Sequence, residues 1–180
     1  MSVLVNRVAS RPTVLREIQG PSMCDLCGAP GLKTELVRDP FFYGVGNEAV
    51  ELSADIPVHS CAKCDASYTG TEAERIEHDA VCRHLGLLTP DEIQGIRKRY
   101  GLSRAAFARL TGFGKASLAR WERGEVVQNT SSDRYLRLLV DPEIFRRLAS
   151  LAGLEDPEDG TTRSTAPSPM GLVVSIASGR

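Results

Sequence analysis

Four cysteines stand in two pairs whose spacing suits a metal ion: Cys24-Asp25-Leu26-Cys27 and Cys61-Ala62-Lys63-Cys64. Two intervening residues let both thiolates of a pair approach one ion at ~2.3 Å, and two such turns close a tetrahedron. Thirty-three residues separate the pairs, room for a hairpin insert. A site filled by four sulfurs has no open coordination position, so the expected ion, one Zn2+, is structural. In a module this small it would also supply much of the folding free energy. Reduced structural thiols or a redox pair is the alternative reading of the same residues. His59 lies close to Cys61, but four cysteines already satisfy zinc, so it reads as an exposed strand histidine. His78 and Cys82, one helical turn apart, make an incomplete site, and Cys82 reads better as a small packed hydrophobe.

A second chemistry lies in LSRAAFARLTGFGKASLARWERG, residues 102–124. Two short helical patterns meet at a glycine-containing turn, the layout in which a second helix enters the major groove of DNA. If Leu118 and Trp121 face the core, Lys115, Ala116, Ala119 and Arg120 point outward. Arg120 is the candidate for bidentate contact with guanine, and Lys115 for a base edge or a phosphate. Arg104 before it, and Thr130 and Arg134 after it, are candidate phosphate contacts. For each basic residue the plain alternative is a solvated surface charge. Trp121 reads as core, not as a stacking platform.

These groups need elements to position them. Val50, Leu52, Ala54, Ile56 and Val58 alternate with polar residues or Pro57, predicting a half-buried strand in which Pro57 marks an edge. Phe41-Phe42-Tyr43 is its expected partner across a loop at 44–47. Thr71 and Glu74 predict a capping box at the start of a linker helix with Ala73, Ile76, Ala80, Val81 and Leu85 at helical spacing. Thr89-Pro90-Asp91-Glu92 predicts a second box, followed by Ile93, Ile96 and Tyr100. Ser103 caps a helix carrying Phe107 and Leu110. A third helix runs from about Gly114 to Arg123. Thr130 opens a fourth with Tyr135, Leu136, Leu138 and Leu139. Asp141 opens a fifth with Ile144, Phe145, Leu148 and Leu151. Residues 1–22 predict nothing firm beyond a short strand at Val3 to Val5. Beyond Gly153, Pro, Ser, Thr and Gly dominate and predict a disordered tail with an apolar patch at 172–176.

The net charge of −1 hides an asymmetry. Residues 23–88 carry five basic and eleven acidic side chains, and residues 89–152 carry twelve and seven. An acidic module followed by a basic one implies two partners of different chemistry. No apolar run suits a membrane span or a secretion signal, and paired cysteines without a disulfide framework fit a reducing compartment. The expectation is a cytoplasmic protein, nucleoid-associated when on DNA, with no membrane partner. The fold class is α+β. The divisions are a leading extension at 1–22, a small β-hairpin zinc domain at 23–70, a linker helix at 71–88, an all-α helix-turn-helix domain at 89–152 and a tail at 153–180.

The zinc-domain residues, with Phe42-Tyr43-Gly44 and the alternating strand before the second pair, resemble the YgiT-type zinc domain. IRKRYGLSRAAFARLTGFGKASLARWERG resembles the Xre, lambda-repressor-like helix-turn-helix. In this order the two are similar to MqsA-family antitoxins of bacterial toxin–antitoxin systems. The resemblance implies a toxin-interaction role for residues 23–70. It implies that residues 89–152 dimerise and bind double-stranded operator DNA as an autorepressor. The family reads bases with an Asn and an Arg. Arg120 matches the Arg, whereas Ala116 holds the Asn position, flanked by Lys115 and Ser117 as substitutes. A stand-alone zinc-containing transcription regulator is the alternative. A zinc enzyme is disfavoured, because four thiolates leave no Lewis-acid position.

Overall fold

A computed structural model describes residues 6–7 and 12–153. The expected strand at Val3 to Val5 and the expected disordered tail lie outside the described residues. Among these residues five antiparallel strands come first: β1 (Asn6–Arg7), β2 (Thr13–Ile18), β3 (Lys33–Tyr43), β4 (Val50–Cys61) and β5 (Ala66–Tyr68). Six helices follow: α1 (Thr71–His84), α2 (Pro90–Arg99), α3 (Arg104–Thr111), α4 (Lys115–Glu122), α5 (Thr130–Leu138) and α6 (Pro142–Leu151). The class is therefore α+β, as expected.

The β3–β4 hairpin is the spine of the sheet. Its register sets Val37 opposite Ile56 and Phe41 opposite Leu52. The inward side chains of both strands thus share one face, as the alternation requires. Helix α1 covers that face, and Ala73 and Val81 join Phe41, Ala54 and Ile56 in a core. On the other flank of β4, β5 pairs only His59 to Cys61, so Pro57 meets no strand there. That is where a residue without an N–H is tolerated.

Several local expectations are corrected. The leading segment is not featureless: β2 pairs with β3 from Thr13 opposite Arg38 to Ile18 opposite Thr34. Thr71 is the first helical residue rather than a cap; Gly70 holds the cap position, with no side-chain bond. Thr130 opens α5 as expected, and the Asn129 side chain caps that helix by accepting from Ser132 N–H. Leu138 and Leu151 are exposed rather than inward.

The helical unit follows the sequence closely. Thr89 and Glu92 form the reciprocal capping box at α2, and Gly112 takes the left-handed conformation between α3 and α4. Ile93, Phe107, Leu118, Leu136 and Leu139 are fully buried. Tyr100 stacks on Phe145 at 3.5 Å between ring centroids and donates its hydroxyl to the Leu139 carbonyl at 2.7 Å. The two units are stitched together after α4. Val126 packs into the helical core and Val127 into the sheet core. Gln128 Nε2 donates to the Leu88 carbonyl at 2.8 Å.

Candidate metal centre and nucleic-acid interface

The two cysteine turns meet where the end of β4 lies beside the loop that precedes β3. Each turn reverses with a left-handed residue four positions after its first cysteine, Gly28 (φ 67°) and Asp65 (φ 55°). Glycine meets no steric cost there, and aspartate is among the few side chains that tolerate it. In the first turn Gly28 N–H donates to the Cys24 carbonyl at 2.8 Å and Cys24 N–H to the Ala29 carbonyl at 2.9 Å. The Sγ atoms of Cys24, Cys27, Cys61 and Cys64 all lie within 4.8 Å of one another. Across the two turns Cys24 and Cys64 are 3.9 Å apart, and Cys27 and Cys61 are 3.7 Å apart. A regular tetrahedron with metal–sulfur bonds of ~2.3 Å has edges of about 3.8 Å, so the donor set fits a metal ion. Among the described residues this is the only group of three or more His, Cys, Asp or Glu side chains so placed.

The thiol chemistry agrees. Backbone N–H groups of Cys64 and Lys63 aim at Cys61 and draw its thiol down to about 6. Burial raises Cys24, but the N–H groups of Cys27 and Leu26 outweigh it and the net is lowered. Cys64 feels a lowering N–H from Ala66, yet neighbouring thiols and burial drive it up to about 12. Four thiolates this close repel one another, and a divalent cation offsets that repulsion.

The other candidate ligands lie elsewhere. His59 is half-buried rather than exposed: its Nδ1 bonds Thr34 Oγ1 at 2.9 Å, and its ring leans on Tyr68. Cys82 is fully buried, which pushes its thiol up to about 11. His78 packs against Gly124, and burial lowers its pKa.

Helix α4 presents Lys115, Ala116, Ser117 and Arg120 to solvent, while Leu118 and Trp121 are buried. Thr130 and Arg134 are exposed on the first turns of α5. Arg104 is different. Its Nε donates to Glu122 Oε2 at 2.9 Å and its side chain is 40% exposed. Glu122 is fully shielded from solvent and also accepts from Arg97 Nε at 2.6 Å and Arg97 Nη2 at 3.0 Å. Arg97 Nη1 reaches the Leu102 carbonyl at 2.8 Å. Burial alone would raise the Glu122 pKa, but the two guanidiniums outweigh it and the carboxyl is held below its ordinary value. One carboxylate thus ties α2, α3 and α4 together and fixes the angle at which α4 is displayed.

That network went unread in the sequence. The available signal was that Glu122 lies i+4 from Leu118 and next to Trp121, on the inward side of α4. Arg104, read as a phosphate contact, spends one donor inside the fold.

The family model for "Antitoxin component of bacterial toxin-antitoxin system, MqsA" matches residues 22–148, a span that includes both the cysteine cluster and the helix-turn-helix. The chain belongs to the MqsA antitoxin family. It is also similar to a protein named Antitoxin HigA-2 of Vibrio cholerae serotype O1, with 37% identity over 65 residues. That match covers 36% of this chain and 62% of the relative, so the chain spans less than two thirds of that relative's length. The four clustered cysteines lie inside the matched span and are consistent with a structural metal ion.

Proposed function

We propose that this antitoxin neutralises a partner toxin through the metal-containing sheet unit and represses its own operon by binding operator DNA through α3 and α4. The carrying observation is the family match at 22–148, which runs across both units in one chain. The acidic residues of 23–88 suit a basic partner surface, and the basic residues of 89–152 suit DNA. We assign the ion as Zn2+, because four thiolates are its preferred closed structural set. Such a site lacks an open position for catalysis, so the protein is read as a binder and not an enzyme.

On DNA, Arg120 would read a base edge. Lys115 and Ser117 flank Ala116 at the start of α4 and would contact bases or phosphates, with Thr130, Arg134 and the free face of Arg104 on the backbone. A homodimer on a palindrome is the matching assembly. Exposed Leu138, Val140 and Leu151 offer apolar surface for a second copy to cover.

The test is growth on inducing the adjacent open reading frame, alone and with this gene. Toxicity relieved by co-expression supports the reading. A harmless neighbour overturns neutralisation and favours a stand-alone regulator.

A further inference from the structure

The turn that ends α4 places a carboxylate beside Arg120 of that helix and Arg123 at its C-cap. Gly124 takes φ 70°. Its N–H donates to the Trp121 carbonyl at 3.1 Å, and Glu125 N–H donates to the Arg120 carbonyl at 2.9 Å. This paired cap fixes the position of residue 125 relative to residue 120. Glu125 Oε1 takes a direct hydrogen bond from Arg123 Nε at 2.5 Å. Its other oxygen, Oε2, stands 3.7 Å from Arg120 Nε, an ion-pair distance beyond hydrogen-bond reach. All three side chains are about half exposed. Arg123 also faces an open cleft of about 620 Å³ that Glu72, Glu74 and Arg75 of α1 line from the other side.

We propose that Glu125 is a specificity-determining residue of the DNA-binding surface, holding Arg123 off the phosphate backbone while leaving Arg120 loosely steered and free to reach a base. The inference rests on the DNA-binding reading above. The two arginines are treated unequally by one carboxylate. Arg123 is neutralised by a short hydrogen bond, which removes one cation from the sequence-independent attraction that dominates nonspecific binding. Arg120 keeps only a loose contact, which a bidentate pairing with guanine replaces. Both duplexes lose the Arg123 attraction, but only the operator gains from an Arg120 side chain steered toward its base, and the ratio between the two affinities rises. The Glu125 carboxyl is held below its ordinary value chiefly by the Arg123 hydrogen bond, so the restraint operates throughout the neutral range.

The experiment measures affinity of the full chain by fluorescence anisotropy. The probes are a duplex of the DNA upstream of its own gene and a random-sequence duplex of equal length, titrated across salt. Glu125 is exposed, so Glu125→Gln should fold, with its thermal melt as control. Because exposed ion pairs are weak, the expected gain is modest: random-duplex affinity rises about 3- to 5-fold. The nonspecific salt slope steepens by about 0.9, and operator affinity changes less. In Arg123→Gln/Glu125→Gln that gain disappears.

Equal affinities and slopes in wild type and Glu125→Gln overturn the proposal while leaving DNA binding intact. So does an equal gain on both duplexes, a gain that survives Arg123→Gln, or lost affinity at an unchanged melt. Failure of the wild type to bind either duplex overturns the DNA-binding reading itself.

Discussion

Glu122→Gln should unfold the helical unit far more readily than its single-atom change suggests. The substitution keeps shape but removes the charge on which Arg97 and Arg104 converge. Arg97 is only 11% exposed and cannot turn to water, whereas Arg104 is 40% exposed and can. The cost is therefore chiefly one uncompensated buried guanidinium, and breaking a buried pair from one side costs about 3–5 kcal/mol. A domain has only about 5–15 kcal/mol in total. With a urea slope of about 1–3 kcal/mol per molar, the midpoint should fall by roughly 2 M.

Trp121 is the sole tryptophan and is buried in this unit, so its fluorescence reports unfolding of these helices and not of the sheet. The pH dependence supplies a second check. The Glu122 pKa is lowered from its ordinary 4.5 in the folded state. Its contribution is thus complete above the unfolded value and lost as pH falls through the folded one. The gap between wild type and Glu122→Gln should be constant from pH 7 to about 5 and shrink below about 4. Arg97→Met/Glu122→Leu should recover most of the loss, because apolar replacement of both partners is often neutral. A midpoint shift under about 0.3 M, or a gap independent of pH, would refute the reasoning.

Cys61→Ser should lose the metal ion and unfold the sheet unit while Trp121 fluorescence still reports a folded helical unit; retained metal, read by elemental analysis, counts against the tetrahedral site. Arg120→Ala should relax selection at one base pair, at about 1–3 kcal/mol of discrimination, and an unaltered binding-site selection profile would exclude base reading. Lys115→Ala should weaken binding to all duplexes and flatten the salt slope by about 1 if it meets a phosphate; an unchanged slope excludes that role.

The sequence alone specified whatever depends on local spacing. Two residues between cysteines bring both thiolates within reach of one ion wherever the chain places the turn. The capping residues of α2 and α3, the alternation in β4 and the inward Leu118 and Trp121 follow from periods of two and 3.6. Hence the α+β class, the cysteine set and the exposed face of α4 were legible.

What depended on distant residues was not. The strand β2 carries no clear alternation and exists because β3 offers it an edge. Gly70 rather than Thr71 holds the cap position of α1, a boundary that local propensity leaves open by a residue. Leu138 and Leu151 share the helical period of their buried neighbours, yet among the described residues they stay exposed. His59 becomes half-buried because β3 sets Thr34 opposite it. Most of all, a charged residue in a sequence does not say whether its partner is solvent, DNA or another side chain. Only the packing of α2, α3 and α4 put Glu122 between two arginines, and only the cap at Gly124 put Glu125 beside two others. Charge–charge partners are chosen by three-dimensional distance, and in this fold the choice determines which arginines are tied to a carboxylate of the same chain.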